Sequence, residues 1–273
     1  MCRWLAYSGP PLPLEALLLA PEHSILDQSR HAERTNFEIN GDGFGVGWYG
    51  KAPSPGVFHD VRPAWNDMNL RSLAAHVESH LFMAHIRATT GSPVSRSNCH
   101  PFVYGDWLFA HNGQIGGFAG LRHALDLRID PVVYGTRVGS TDTETMFQLA
   151  LTFGLEDDPT GGILRMIETV ESERRNHDVS EPFEMTIALA NGRQLWAFRH
   201  SSDDAPPSLY YNTPGASLRD ADGRSMQLPP GAALVVSEPL DRDPDNWIEV
   251  PPESQLSVED GNIQVAPLMP GAA

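Results

Sequence analysis

Cysteine is scarce in this 273-residue sequence, which holds only Cys2 and Cys99. Two cysteines cannot build a disulfide framework, and so few are typical of a reducing compartment. Apolar stretches are also short, and no run reaches the roughly 18 apolar residues of a membrane span. The N-terminal stretch is interrupted by Glu15 and lacks a small-residue cleavage site of the secretory type. We therefore expect a cytoplasmic protein without a membrane partner.

Basic residues are in the minority, with 19 Lys and Arg against 35 Asp and Glu and a formal net charge of −16. Such a surface repels nucleic acid, so a nucleic-acid partner is not expected. Hydrophobic residues make up 41% of the chain, which is enough for a folded core and excludes a disordered or fibrous protein.

Strand patterns follow one another in adjacent runs instead of alternating with helices. Adjacent runs favour antiparallel sheets with helices packed outside them. We expect one domain over residues 2–273, in which the residues after about 200 form a C-terminal elaboration. The strands and helices nearest the candidate residues are predicted at 44–49, 66–80, 81–90, 106–113, 143–153 and 162–176.

Cys2 is the first candidate for chemistry. Because a small residue follows Met1, we expect Met1 to be removed, which leaves Cys2 with both a thiol and a free α-amine. A thiol titrates at about 8.5 and an α-amine at about 7.7–8.0 in model peptides, so the amine can accept the thiol's proton. One residue can then supply nucleophile and base. The alternative is a buried cysteine without chemistry.

Arg87 follows a predicted strand within the segment HIRATTG (85–91). Its guanidinium presents a fixed fork of donors that suits a carboxylate, and strand ends often carry such groups. The alternative is a surface arginine in a salt bridge.

Asn112 and Gly113 end the next predicted strand. The side-chain amide of the first and the unobstructed N–H of the second can form an oxyanion hole. The alternative is a type I′ hairpin turn, for which Asn-Gly is a strong signal.

Asp142 lies at the start of a predicted helix, within STDTE (140–144). Thr141 and Glu144 have the spacing of a capping box, and an acid in the first turn is favoured by the helix dipole. That structural role is one interpretation. The other is that Asp142 accepts the ammonium group of an amino-acid substrate.

Cofactor and metal motifs are weak. Gly45, Gly47 and Gly50 match the spacing of a dinucleotide loop, but KAPSPG (51–56) follows them in place of a helix. His76 and His80 lack the carboxylate that would complete a metal site. We expect no cofactor and no metal, and we interpret Cys99 as structural.

The order of the motifs is more specific than any one of them. Cys2, GDGFGVGWY (41–49), HIRATTG, NCHPF (98–102), HNG (111–113) and STDTE follow one another as in a known family. The set resembles the class II glutamine amidotransferases, which are N-terminal-nucleophile hydrolases. The resemblance covers roughly residues 2–200.

The resemblance implies an α+β fold of four layers, αββα, with two stacked antiparallel sheets between helix layers. It implies that Cys2 attacks the γ-amide of glutamine, that Arg87 holds the substrate carboxylate and that Asp142 holds its ammonium. Asn112 and Gly113 would stabilise the oxyanion.

Thr89 and His85 would line the pocket by the same resemblance. Alternatives remain open for the substrate and for the activity. Some stand-alone relatives hydrolyse γ-glutamyl amides of larger molecules, as in ergothioneine synthesis. A separate subunit could accept the ammonia, or the chain could be a non-catalytic subunit that binds glutamine.

Overall fold

The computed structural model describes residues 2–30, 40–89 and 91–268. The strands of this part are β1 (Arg3–Pro13), β2 (Phe44–Trp48), β3 (Gly56–Asp60), β4 (Glu78–Ile86), β5 (Phe102–Tyr104), β6 (Trp107–Ile115), β7 (Phe183–Ala190), β8 (Leu195–Ser201), β9 (Tyr210–Asn212), β10 (Ser217–Arg219), β11 (Ser225–Gln227), β12 (Ala233–Val236), β13 (Trp247–Glu249), β14 (Ser254–Glu259) and β15 (Asn262–Pro267). Its α-helices are α1 (Glu15–Leu18), α2 (Ile25–Gln28), α3 (Met68–His76), α4 (Phe118–Asp126), α5 (Pro131–Tyr134), α6 (Asp142–Thr152) and α7 (Pro159–Asn176), and 3₁₀ turns lie at Ala64–Asn66, Arg96–Asn98 and Pro244–Asn246.

Two large sheets dominate the fold. The first has the strand order β13-β9-β12-β1-β4-β2-β3, and the second has the order β15-β14-β8-β7-β6-β5. Neighbouring strands pair antiparallel in both sheets, as the adjacent strand runs predicted. Because antiparallel strands need only short connections, this topology suits a chain rich in turn residues.

Alternation along β1 shows how the layers form. Leu5 and Tyr7 belong to a core shared with the helices α1 to α3, whereas Trp4 and Ala6 belong to the core between the two sheets. The helices α4 to α7 cover the other face of the second sheet. Side chains alternate between the faces of a strand, so each sheet buries both of its faces. The four-layer αββα fold is therefore confirmed.

Small residues line the space between the sheets. Ala110 on β6 and Ala188 and Ala190 on β7 are fully buried there, together with Leu108. Alanine side chains let two sheets approach closely, since sheets stack at about 10 Å. The two sheets are thus closely packed at these positions.

The helix α3 is shorter than predicted. It ends at His76, and β4 already begins at Glu78 because that residue pairs with Pro13 of β1. The cross-strand pairing overrides the helical pattern that continues to Val77. By contrast, the predicted apolar face of α7, with Ile163, Met166, Ile167 and Val170, is buried as expected.

The strands after residue 200 take part in both large sheets. The strand β12 pairs with β1 through Val236 and Leu5, and β14 pairs with β8. This segment is therefore built into the same layers as the rest of the chain. No helix in the described ranges combines the length and the apolar character needed to cross a membrane.

Candidate active site

A cavity of about 270 Å³ opens where β1 begins and where β4 and β6 end. Five of the predicted site residues contribute to its lining, namely Cys2, Arg87, Thr89, Gly113 and Asp142. Residues from four separate segments of the chain therefore meet in one place. A cavity of this size suits a ligand smaller than a typical drug molecule.

The register of β1 places Cys2 in this cavity. Arg3 pairs with Ile86 and Trp4 with His85, so Cys2 continues the strand beside Arg87. The N–H of Ala88 donates to the Cys2 sulfur at 3.4 Å. Burial raises the pKa of the Cys2 thiol, so the sulfur is protonated near neutral pH and needs a base to become a nucleophile. Met1, whose removal the sequence predicts, lies outside the described residues.

Arg87 is buried but has no carboxylate partner among the described residues. Its Nη2 donates to the hydroxyl of Ser92 at 2.6 Å and to Thr89 Oγ1 at 3.3 Å, and its Nη1 donates to the Asp42 carbonyl at 3.4 Å. A buried guanidinium without a counter-ion is costly unless an anion joins it. The arrangement therefore favours an anionic ligand group at this end of the cavity.

Thr89 is held in place beside Arg87. Its N–H donates to Asp42 Oδ2 at 2.8 Å, and its hydroxyl donates to the Ser92 carbonyl at 2.7 Å. These bonds hold Thr89 against Asp42 and Ser92 beside the cavity. Thr89 thus positions the arginine as well as lining the cavity.

Asp142 is the first residue of α6. Its Oδ2 accepts from the N–H of Ile115 at 3.0 Å, and its Oδ1 accepts from the N–H of Thr143 at 2.8 Å. No cationic side chain pairs with it in the part of the chain that the structure describes. The carboxylate is fixed in direction and carries a charge that a ligand ammonium can neutralise.

The predicted capping box is half confirmed. The hydroxyl of Thr141 accepts from the N–H of Glu144 at 3.1 Å, as expected for the N-cap of α6. The Glu144 carboxylate turns instead to the N–H groups of Val138 and Gly139, at 2.7 and 2.8 Å. This carboxylate fixes the loop that leads into the helix, and the cap leaves Asp142 free to face the cavity.

The hairpin turn considered for Asn112 and Gly113 is wrong. Both residues lie inside β6, paired with Thr186 and Met185 of β7. Gly113 has φ of 140°, and a side chain there would collide with the Glu184 carbonyl, so only glycine fits. The strand continues to Ile115 because the ladder with β7 supplies partners that a turn would lose.

Asn112 is buried beside the cavity and does not contribute to its lining. Its Oδ1 is buried without a hydrogen-bond partner among the described residues. Alternation along β6 turns this side chain toward the space between the sheets, the same space that β1 enters with Cys2. The amide nitrogen of Asn112 is the atom that can donate to an oxyanion, and it makes no hydrogen bond to another described residue.

His85 is also absent from the cavity lining. It is fully buried, its Nε2 donates to the His111 carbonyl at 3.1 Å, and its ring lies 4.0 Å from that of His100. Burial lowers the pKa of His85 to about 3, so the ring is neutral. It supports the cavity wall from behind.

Several lining residues were not predicted from the sequence. They are Ala88, Ser92, His100, His111, Gln114, Thr141, Thr143 and Glu184. His111 is two residues before Gly113 on one strand, and that spacing could have placed both on the same face. His100 reaches the cavity from a loop, where no periodic signal exists.

Cys99 stands apart from this chemistry. Its sulfur lies 3.5 Å from the Asp60 and Ser95 carbonyl oxygens, either of which can accept the single thiol proton, and burial raises its pKa to about 11. Gly43 packs against the same sulfur. The described residues contain no group of His, Cys, Asp or Glu side chains arranged to hold a metal ion.

Comparison with known proteins identifies the family. The class-II glutamine amidotransferases match residues 23–271 of this chain. A protein of Saccharomyces cerevisiae named as a probable glutamine amidotransferase is 31% identical over 98% of this chain and 85% of its own length. A γ-glutamyl-hercynylcysteine sulfoxide hydrolase of Mycolicibacterium smegmatis is 27% identical over 98% of this chain and its entire length.

Comparison with solved structures also finds amidotransferases of this kind. A glutamine aminotransferase class-II domain protein from Silicibacter pomeroyi shares 36% identity with a TM-score of 0.73, over 98% of this chain and 100% of that chain. Glutamine phosphoribosylpyrophosphate amidotransferase from B. subtilis shares the fold at 12% identity and a TM-score of 0.58, over 98% of this chain and 50% of that chain.

The chain belongs to the class-II glutamine amidotransferases. The family resemblance, the enzyme class and the N-terminal-nucleophile fold predicted from the ordered motifs are thereby confirmed. Cys2 precedes the matched range, so its assignment depends on the geometry of the cavity.

Proposed function

We propose that this enzyme hydrolyses the γ-amide of glutamine, with Cys2 as the nucleophile. One observation carries the proposal: a buried arginine and a fixed carboxylate, both without ionic partners in the described ranges, line the cavity that holds the Cys2 thiol. An α-amino acid has one carboxylate and one ammonium group, which Arg87 and Asp142 complement. Both charges are bound before the chemistry begins.

The first half of the reaction forms a thioester. The α-amine of Cys2, free once Met1 is removed, takes the proton of the thiol, and the sulfur attacks the γ-amide carbon. The oxyanion of the tetrahedral intermediate accepts from the Asn112 amide and the Gly113 N–H. The C–N bond then breaks, the nitrogen takes the proton held by the α-amine, and ammonia leaves.

The second half restores the enzyme. The same α-amine takes a proton from a water molecule, whose oxygen attacks the thioester carbon. The C–S bond breaks, the sulfur regains its proton, and glutamate leaves. Because these residues supply the nucleophile, the base and the oxyanion donors, the proposed reaction requires no cofactor. A separate ammonia-accepting subunit and a cytoplasmic location stay predictions.

Mass analysis tests the nucleophile directly. The intact protein is measured before and after reaction with a glutamine-analogue diazoketone, and the N-terminal peptide is sequenced. We expect Met1 to be absent and the single adduct to lie on Cys2. Cys2→Ala should abolish both the adduct and glutamate release, whereas Cys99→Ala should retain both. Glutamate release by Cys2→Ala would overturn the proposal, and binding without turnover would indicate a non-catalytic glutamine-binding subunit.

A second cavity favours a larger substrate as the alternative. A space of about 570 Å³ adjoins the first, and Ser92, Gln114, Thr141 and Asp142 line both. Together the cavities exceed what glutamine fills, and a γ-glutamyl amide with an extended substituent would use the added room. The relative from Mycolicibacterium smegmatis is named as a hydrolase of such a compound.

Ala119 allows the two substrates to be distinguished. It is an exposed residue of α4 that lines only the second cavity. Ala119→Phe should lower kcat/KM for a γ-glutamyl dipeptide by about tenfold and leave kcat/KM for glutamine unchanged, if the dipeptide is the physiological type of substrate. Equal kcat/KM values for the variant and the parent with both substrates would remove the support for the larger substrate.

A further inference from the structure

The residue after the nucleophile is a buried arginine. Arg3 is only 1% exposed, and its Nε donates to Glu238 Oε2 at 2.7 Å. Its Nη1 donates to the carbonyl oxygen of Cys2 at 2.9 Å. One guanidinium therefore joins the backbone of Cys2 to a carboxylate that is more than 230 positions away in the sequence.

Glu238 is held on several sides. His23 Nε2 lies 3.2 Å from its Oε1, and the Gln28 side-chain amide donates to its backbone carbonyl at 3.2 Å. Burial alone would raise the pKa of Glu238, but the His23 hydrogen bond and the Arg3 charge bring it below its ordinary value. The carboxylate is thus ionised and fixed, and it gives Arg3 a rigid partner.

The next residue makes a second connection. The indole N–H of Trp4 donates to Thr186 Oγ1 at 3.1 Å, and Thr186 is the direct partner of Asn112 in the ladder between β6 and β7. The chain beside Cys2 is therefore anchored to both sheets. These contacts connect the nucleophile's backbone to the strand that carries the candidate oxyanion donor.

Stability does not explain a buried ion pair at this place. Replacing such a pair by apolar residues is often neutral or stabilising, because removing two charges from water is costly. A chain that begins at Cys2 has no preceding residue to hold its first backbone unit. The strand ladder begins only at Arg3, so the first residue depends on contacts from the side.

We infer that Arg3 and Glu238 are positioning residues, which hold Cys2 at the distance from substrate that the thioester step requires. The inference rests on the proposed function of Cys2. Because Glu238 balances the positive charge of Arg3, the pair affects the position of the Cys2 sulfur and not its protonation. Lysine could keep the charge but not the fixed fork that reaches both partners.

The experiment compares Arg3→Met, Arg3→Lys and Glu238→Gln with a control, Arg128→Met. Arg128, whose side chain is exposed, makes an ion pair of the same length with the buried carboxylate of Glu173, at 2.7 Å, in the helix layer that covers the second sheet. All proteins are assayed as full chains with Met1 removed, well below their melting temperatures. Glutamine turnover gives kcat and KM, and Cys2 alkylation is measured with iodoacetamide and with a glutamine-analogue diazoketone.

We expect kcat to fall by about 10²-fold in each Arg3 and Glu238 variant, with KM nearly unchanged, because a displacement of about 1 Å has that effect. Alkylation by the diazoketone should slow far more than alkylation by iodoacetamide, which needs no alignment. A merely structural role would leave the ratio of the two rates at its parent value. Arg128→Met should keep both kcat and that ratio.

Two outcomes separate this inference from the proposed function. An inactive Cys2→Ala protein together with a fully active Glu238→Gln protein would overturn the positioning role and leave the nucleophile intact. Retained activity in Cys2→Ala would overturn both. If Arg3→Met does not fold, Glu238→Gln and Arg3→Lys decide the question, because they conserve shape or charge.

Discussion

Two single residues, Arg87 and Asp142, carry the recognition of a zwitterion that we propose for this cavity. Each is oriented by hydrogen bonds to neutral groups and neither has an ionic partner among the described residues. A charge that is already desolvated and oriented binds an opposite charge without further reorganisation. We therefore expect that removing either group affects binding more than chemistry.

Arg87→Gln and Asp142→Asn should each raise KM for glutamine by roughly 10-fold to 10²-fold, the loss expected for a hydrogen bond between charged groups. The effect on kcat should be smaller, since neither group touches the reacting carbon. Steady-state kinetics checks this prediction. Arg96→Gln is the control, because Arg96 is exposed and pairs with Asp60 outside the cavity. Loss confined to kcat would contradict the recognition role.

Asn112→Ala tests the oxyanion donor at the same scale. The Asn112 Nδ2 donates to no other described residue, and the side chain faces the space that Cys2 enters. We expect kcat to fall by roughly 10²–10³-fold with KM little changed. The exposed Asn262→Ala is the matched control. A rise in KM without loss of kcat would assign Asn112 to binding.

At the scale of the element, α6 is the part that aims a carboxylate. Its N-cap, Thr141, ends the preceding loop and sets the direction in which Asp142 leaves the first turn. The helix α7 has a comparable cap, in which Asp158 accepts from the N–H of Gly161 at 2.9 Å. Both helices therefore have an N-cap hydrogen bond, but only the cap of α6 lies next to a residue of the candidate site.

Thr141→Ala and Asp158→Ala should each lower the free energy of unfolding by about 1 kcal/mol, the usual value of a cap. Only the first should also raise KM for glutamine, because Asp142 follows Thr141 directly. Denaturant unfolding measures the first quantity and steady-state kinetics the second. Equal KM values in both variants would show that the cap does not orient Asp142.

The element scale also shows where sequence reasoning succeeds and where it stops. The buried spacing of α7 and the position of β2 follow from periodicity, which depends only on local sequence. The continuation of β6 through Asn112 and Gly113 does not, because the partner strand β7 lies some 70 positions away. Long-range pairing overrides the local turn preference, and a sequence pattern cannot display it.

The same distinction applies to the candidate site, where the sequence predicted some residues and long-range packing determines the others. The ordered motifs predicted Cys2, Arg87 and Asp142, and the structure brings these three to one cavity. His100 carries no periodic signal because it lies in a loop, and Glu238 is separated from Arg3 by most of the chain. Contacts of that kind depend on the packing of the two sheets, which only the folded chain reveals.

At the scale of the whole molecule, a group of neutral histidines is buried around the cavity. Burial lowers the pKa values of His59, His85, His100 and His111, that of His85 to about 3. The unfolded chain binds protons on these four histidines at about pH 6.5, whereas the folded chain does not. As pH falls below that value, the unfolded state gains protons that the folded state cannot take, so stability falls.

Each such histidine should cost up to about 1.4 kcal/mol of unfolding free energy per pH unit below 6.5, until its folded pKa is reached. Urea unfolding between pH 7 and pH 4.5 measures the slope. His85→Gln should reduce the slope of unfolding free energy against pH by the contribution of one proton. His76→Gln, on the exposed end of α3, should leave the slope unchanged. A slope that His85→Gln does not alter would show that His85 is protonated in the folded chain.

The start of β1 at the cavity has a practical consequence for anyone who makes this protein. Cys2 lines the cavity in which we propose that the reaction takes place, so an affinity tag or fusion partner joined ahead of it would begin inside that cavity and keep the amine acylated. Under the proposed role of Cys2, recombinant versions therefore need a free amine at this residue, with no purification handle ahead of it.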